Sequence, residues 1–208
     1  MVTQQETRPM TVAEFMALPD DGNLHELVRG ELRAMPPPKG VHGLIEARLV
    51  AAIDRYLDNK ARGLGWDERQ GITARNKLVG FAAAGEFGIR FDLPDDPNQV
   101  RGLDGAYVPA DQLADMSWDR KEYFPGVPRL VIEVVSSTDR AGKVMEKVRD
   151  CLDGGARRVW CLYSEQHTIS MYHPDSSSRI IRGVDAILAD EELLPGFSLP
   201  LNMVFIDE

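Results

Sequence analysis

The apolar and polar positions divide the chain into alternating helical and extended segments. In "MTVAEFMALPDDG" (residues 10–22), Thr11 precedes an apolar run with Glu14 three positions on, which is the pattern of a capping box and predicts a short helix ending at Pro19. "HELVRGELRAMPPP" (25–38) predicts two short strands around Arg29–Gly30, closed by the prolines at 36–38. From Val41 to about Ala61 the residues Leu44, Ile45, Leu49, Ala52, Ile53, Tyr56 and Leu57 recur at intervals of three and four, so this is the longest helix expected. "GLGWDERQGITAR" (63–75) and "GEFGIRFDL" (85–93) predict strands interrupted by glycine, residues 92–102 a polar loop, and "LDGAYVP" (103–109) a strand stopped by proline.

The second half has a clearer rhythm. Leu130–Val135 is a strand of five aliphatics and one acid, Glu133. The cluster Ser136–Ser137–Thr138–Asp139 is expected to cap a helix with Val144, Met145, Val148 and Leu152 on one face, stopped at Gly154–Gly155. "RRVWCLY" (157–163) is the next strand. Strand, helix and strand in so short a span form a β-α-β unit, which makes the two strands parallel and strand 130–135 central. "TISMYHP" and "SRIIRG" predict a hairpin around residues 175–178, and "LLPGFSLPLNMVF" closes the chain.

Composition adds limits to this outline. A chain of 208 residues with 43% hydrophobic and 27% charged positions suits one globular domain, residues 1–208, with 1–10 a flexible N-terminus. No apolar stretch is long enough for a membrane span and no leader pattern opens the chain, so a cytoplasmic protein without membrane contact is expected. Cys151 and Cys161 match neither a disulfide framework nor a zinc site. The net charge of −9 argues against coating nucleic acid by bulk electrostatics, but residues 184–208 hold six of the acids and no Lys or Arg. Residues 139–158 carry six bases against four acids, leaving room for a mildly basic face near Glu133.

The candidate chemistry rests on two acids in apolar strands. Asp104 in "GLDGAYV" and Glu133 in "LVIEVVS" can meet only if their strands are neighbours, and two adjoining carboxylates stay ionised only around a cation. Mg²⁺ suits such a pair because it takes oxygen ligands and keeps several waters. Two plainer readings stand beside this: Glu133 on an edge face in water, or Glu133 paired with Arg157 or Arg158 on the next strand. No P-loop and no G-x-S-x-G elbow is present, which removes the P-loop NTPases and the serine hydrolases of that class.

The segments "HELVRGEL", "GLDGAYV", "PRLVIEVVSSTDR" and "KVRDCLDGGARRVWCLY" together resemble the Uma-two family of restriction-endonuclease-like proteins, within the PD-(D/E)XK nuclease superfamily. The resemblance spans roughly residues 11–205. It implies an α/β fold with a restriction-endonuclease-like core, a mixed β-sheet flanked by helices, and a metal-dependent endonuclease acting on DNA with Mg²⁺ or Mn²⁺. It implies that Asp104 and Glu133 hold the metal, that Lys147 assists, and that Glu26 and His42 belong to the same site. Three positions depart from the pattern: Val135 replaces the superfamily lysine, with Lys147 in its stead; Leu103 replaces a proline; Cys151 replaces an aromatic residue, commonly tyrosine. The alternative is a nuclease fold kept as a binding module with decayed catalysis. Cutting both strands of a duplex favours a homodimer.

Overall fold

The computed structural model describes residues 8–35, 37, 40–119, 122–183 and 185–205. Residues 1–7 of the expected flexible N-terminus and two of the three prolines at 36–38 lie outside the described residues. The chain forms a large mixed sheet flanked by helices, as expected. α1 (Val12–Met16) is capped by Thr11, whose side chain accepts from the Glu14 amide while the Glu14 carboxylate accepts from the Thr11 amide. β1 (Leu24–Val28) and β2 (Glu31–Met35) pair as an antiparallel hairpin. Arg29 and Gly30 have φ of 50° and 72°, the two left-handed residues that the tightest hairpin turn needs. α2 (Gly40–Gly63) is the long helix.

The segment expected as a strand at 63–75 is helical instead. After α2 a short 3-10 turn, Glu68–Gln70, is capped by Asp67, and α3 (Gly71–Val79) follows. Arg75, on α3, is fully buried against α2, pairing with Asp54 at 2.6 Å and Asp58 at 2.8 Å, so the helix seats on α2 through a buried cation. The expected loop at 92–102 is also wrong. β3 (Phe81–Leu93) and β4 (Asp96–Val108) form one long hairpin through this region, and its polar residues Gln99 and Arg101 are buried in ion pairs and hydrogen bonds, not exposed.

The rest follows the sequence closely. After α4 (Ala110–Ala114) and the short β5 (Phe124–Pro125), β6 (Leu130–Val135) pairs with β4 on one side and, in parallel, with β7 (Arg158–Tyr163) on the other. α5 (Ala141–Asp153) makes the crossover. Its N-cap is Arg140; Asp139 instead accepts from the Ser136 amide at 2.8 Å, so the Ser-Ser-Thr-Asp cluster builds the turn before the helix. β8 (Thr168–Tyr172) and β9 (Ser178–Arg182) continue the sheet, giving the order β2-β1-β4-β6-β7-β8-β9 with β3 on the other edge of β4. β10 (Ile187–Leu188) and β11 (Leu199–Pro200) pair separately.

Two cores cover the two faces of the sheet. On one, Ile45, Leu49, Ile53 and Leu57 of α2 pack over Leu130, Ile132 and Trp160. On the other, Val148 and Cys151 of α5 pack over Val131, Val159 and Cys161. Each buried aliphatic contributes about 1.5–3 kcal/mol. The alternation in β6 therefore points Glu133 to the α5 side, among the odd-numbered positions. α2 comes close to β4 at Gly105, where a Cβ would stand 3.0 Å from Val50 Cγ2. Among the described residues no helix is long and apolar enough to cross a membrane.

Candidate active site at the fork of the sheet

β4 serves two partners along one edge. Its first half pairs with β1 at Val100 and its second half with β6 from Gly105, while β3 runs along the other edge. The sheet forks between them, and at the fork two carboxylates do the work of a missing strand. The Gly102 amide donates to Glu26 Oε1 at 3.2 Å, and the Val134 amide donates to Asp104 Oδ2 at 2.6 Å. Glu26 is thus a buried member of the cleft and not surface charge; Glu31, beyond the turn, is exposed.

The five residues expected in the site, Asp104, Glu133, Lys147, Glu26 and His42, all line one cleft of about 630 Å³. Lys147, two turns into α5, reaches Glu133 Oε2 at 2.6 Å and lies 3.7 Å from Glu26 Oε1. Neither Arg157 nor Arg158 is the partner of Glu133: Arg158 pairs with Asp190 at 2.9 Å and with Glu192. Nor does Glu133 sit on an open edge, since β6 lies between β4 and β7. His42, near the start of α2, has Nε2 3.1 Å from Asp104 Oδ1, without the alignment of a hydrogen bond.

Burial and neighbouring charge set the protonation of these groups. Burial pushes the Glu133 carboxyl above the usual carboxylate range, with Asp104 and Glu26 adding to it, while the Lys147 ammonium pulls it back. Burial works against the Lys147 ammonium, but the charges of Glu133, Glu26 and Asp104 outweigh it and hold its pKa above the ordinary value. Lys147 is therefore a fixed cation. The nearby Asp104 carboxylate raises His42 as well.

Three further residues were not singled out in the sequence. Glu46, one helical turn after His42, is buried and accepts from the Gly85 amide. Glu86 follows in a bulge of β3 with φ of 58°, a left-handed conformation that turns its carboxylate towards the cleft; its Oε2 is buried without a hydrogen-bond partner. Arg101 is buried between Glu26 and Asp150. Signals existed for two of them: Glu46 stands at i+4 from His42 on the apolar stripe of a helix, and the glycines flanking "EF" in "GEFG" mark a bulge. Arg101 gave none, because a buried arginine in a polar stretch looks like a loop residue.

Behind the cleft an ion network ties the β1–β2 hairpin to α5. Asp150 accepts from Arg29 at 2.9 Å and from Arg101, and Glu146 accepts from Arg33 at 2.9 Å and Arg29 at 3.0 Å. A slightly larger hollow of about 680 Å³ beside α1, lined by Phe15, Trp118 and Tyr123, shares Glu86 and Arg101 with the cleft but contains none of Asp104, Glu133 and Lys147, so the residues expected in the site lie together in the smaller one.

His42, Glu46 and Asp104 each offer a ligand atom, and the three atoms lie within 4.8 Å of one another. Glu133 Oε1, in turn, is buried without a hydrogen-bond partner. Both features fit a divalent cation beside Asp104, because imidazole and carboxylate are its ordinary ligands and buried lone pairs otherwise remain unsatisfied.

A family model described as "Putative restriction endonuclease" matches residues 12–202. Among solved structures, the chain is similar to that described as "a putative nuclease belonging to DUF820" from Anabaena variabilis, with a TM-score of 0.72 and 18% identity over 95% of this chain and 98% of that one. No curated protein matches the chain.

Proposed function

From the premise that the chain belongs to the Uma2 family, we propose that it is a metal-dependent endonuclease hydrolysing phosphodiester bonds of DNA. The observation that carries this reading is the convergence of Asp104, Glu133 and Lys147 in one cleft, with a buried Glu133 oxygen left over for a ligand. A decayed nuclease fold has no reason to keep buried, unpartnered carboxylate oxygens at Glu133 and Glu86, since each costs about 1–3 kcal/mol or more.

In this reading Asp104 and Glu133 hold Mg²⁺ or Mn²⁺. The ion, when bound, supplies an activated water and a polarised phosphoryl oxygen. The chain's own residues do the rest. Lys147, protonated and immobile, offers its charge to the phosphate as negative charge grows there, and acts as a cation and not as a base. Val135 stands where the superfamily lysine would, and Lys147 brings the same ammonium from the helix that follows. Glu26, itself paired with Arg101, keeps Lys147 in place from behind. Arg140 and Lys143 on the exposed wall of the cleft bind flanking phosphates, which offsets the net negative charge of the chain. Two strands to cut make a homodimer the assembly to look for.

The test is incubation of supercoiled plasmid with the purified protein and Mn²⁺ or Mg²⁺. Nicked and linear products that disappear with chelator and with Asp104→Asn support the reading. Intact plasmid, together with intact linear and single-stranded DNA under both metals, counts against it.

A further inference from the structure

The hollow beside α1 and the cleft are neighbours along β4: Glu86 and Arg101 line both, Gly102 lines only the hollow and Asp104 only the cleft. Gly102 and Asp104 are two residues apart on a strand, which sets their Cα atoms about 6–7 Å apart, the reach of one nucleotide in a strand drawn out of its stack. The hollow, at about 680 Å³, has the size of a small-ligand site, usually about 300–1,000 Å³. Gly88 and Gly102 stand opposite each other on β3 and β4. A Cβ at Gly88 would lie 2.5 Å from the Tyr123 ring, and one at Gly102 2.7 Å from Glu86 Oε2, so bare backbone seats a flat ring on one strand and a carboxylate on the other. Trp118 is fixed nearby: its ring stacks on Phe81 at 6.0 Å, meets Phe124 edge-on at 5.1 Å, and its Nε1 donates to the Glu122 carbonyl at 3.0 Å. Both Trp118 and Tyr123 are only partly buried.

The polar groups decide what fits. Asp20, Asp21, Glu86 and Glu122 bring four carboxylates to the hollow, and its arginine, Arg101, is spent on Glu26, Gln99 and Asp150. Phosphate is repelled, and hydrogen-bond donors are welcome. Glu86 Oε2 is buried without a hydrogen-bond partner, and its place beside Gly102 puts it on the hollow's side of the shared wall. Aromatic faces with a carboxylate acceptor suit a nucleobase that carries an exocyclic amine: the rings stack on its π-face, and the carboxylate accepts from the amine, as from N4 of cytosine. A basic peptide would suit the same charges. The base has the better claim, because a strand whose phosphate lies in the cleft carries its neighbouring base to this wall.

We propose that the hollow beside α1 receives one unpaired base of the DNA strand, next to the phosphate in the cleft, and prefers a base with an exocyclic amine to thymine. Trp118 and Tyr123 supply the stacking faces and Glu86 the acceptor. A site built this way favours single-stranded or distorted DNA, since drawing a base from an intact duplex costs its pairing and stacking. The proposal rests on the nuclease reading for its ligand, but its test does not depend on cleavage.

Trp66 and Trp160 are buried, so Trp118 is the tryptophan that a ligand in the hollow reaches. The experiment titrates the full chain with short single strands of cytosine, of thymine and of abasic sites, once in chelator and once in Ca²⁺, reading tryptophan quenching and the anisotropy of a dye on the strand. The cytosine strand is expected to quench and to bind at least about fivefold more tightly than the thymine strand, while the abasic strand leaves the fluorescence unchanged. Tyr123→Leu, which keeps apolar bulk and removes the ring, should weaken the cytosine strand at least about fivefold, with folding checked by circular dichroism. Glu86→Gln should narrow the difference between cytosine and thymine. A cytosine strand that binds no better than a thymine or an abasic one overturns the base site, and so does quenching indifferent to both substitutions; where the wild type still cuts plasmid, the nuclease reading stands. Quenching by an arginine-rich peptide and not by DNA overturns it in favour of a basic protein partner. Base-dependent binding by a protein that leaves plasmid intact supports the base site and counts against the nuclease.

Discussion

Lys147 Nζ lies 2.6 Å from Glu133 Oε2, joining the helix of the β-α-β unit to its central strand fourteen residues earlier. An acid in the middle of a buried strand needs a cation, and the chain supplies one from its own next element. A metal, in the proposed function, is then the second partner of Glu133 and not its first. Replacing Lys147 by Met leaves a buried carboxyl without its cation, which costs about 3–5 kcal/mol when the charge persists. Because Glu133 is able to take up a proton, the low end, about 3 kcal/mol, is expected from urea unfolding. The double variant Lys147→Met/Glu133→Leu should recover most of that loss. A double variant no more stable than the single one would mean that Lys147 stabilises through other contacts.

Glu133→Ala separates chemistry from folding. It removes the carboxylate but leaves Lys147 near Glu26 and Asp104, so the ammonium keeps neighbours of opposite charge. Plasmid cleavage is expected to fall below detection while the circular dichroism spectrum stays that of wild type. A folded Glu133→Ala protein that cuts as fast as wild type sinks the proposed mechanism.

Acid should unfold the protein through the network behind the cleft. Burial works against the Asp150 carboxylate, but the hydrogen bond from Arg29 and the charge of Arg101 outweigh it and hold its pKa below the usual value; Arg33 lowers Glu146 likewise. A depressed folded pKa means that the stabilisation is fully present above the unfolded carboxyl value, about 4, and is lost as pH falls through the folded value. Asp150→Asn is expected to destabilise by about 3 kcal/mol at pH 7, with the gap to wild type closing as the pH falls below about 4. Urea midpoints at neutral and acid pH measure it. A gap that stays constant would show that Asp150 acts by packing and not by charge.

The fold was legible wherever burial and periodicity agreed. Leu130–Val135 and Arg158–Tyr163 are buried strands of aliphatic and aromatic residues, and no competing pattern disturbs them. The reading failed where buried polar residues mimic a loop or where alternation is accidental. Gln99 and Arg101 look solvent-loving, yet each has its hydrogen bonds made inside the molecule by residues of distant elements. Arg75 belongs to the same class, with its partners on α2. The site shows the same division: acids in apolar strands stood out, whereas Glu86 depends on a backbone bulge and Glu46 on which face of α2 meets the fork.

Glu86 carries a stability cost that its removal should reveal. Its φ of 58° puts a β-position residue in the left-handed region, and burial raises its carboxyl above the usual range while Oε2 has no hydrogen-bond partner. Left-handed backbone in a residue other than glycine costs on the order of 1 kcal/mol, a relief that glycine's own loss of chain entropy largely offsets, so the net gain comes from removing the buried, unpaired carboxyl oxygen, at about 1–3 kcal/mol. Glu86→Gly is therefore expected to raise stability by about 1 kcal/mol, read as a higher urea midpoint with an unchanged slope. That gain would be the reverse of what nearly all substitutions at partly buried positions do, and it arises because the native residue is kept for its carboxylate and not for the fold. The same variant should weaken Mn²⁺ binding in the cleft, where Glu86 faces Asp104 and Lys147. A less stable Glu86→Gly would instead mean that the carboxylate is paired within the folded protein, and the bulge would then be a structural device.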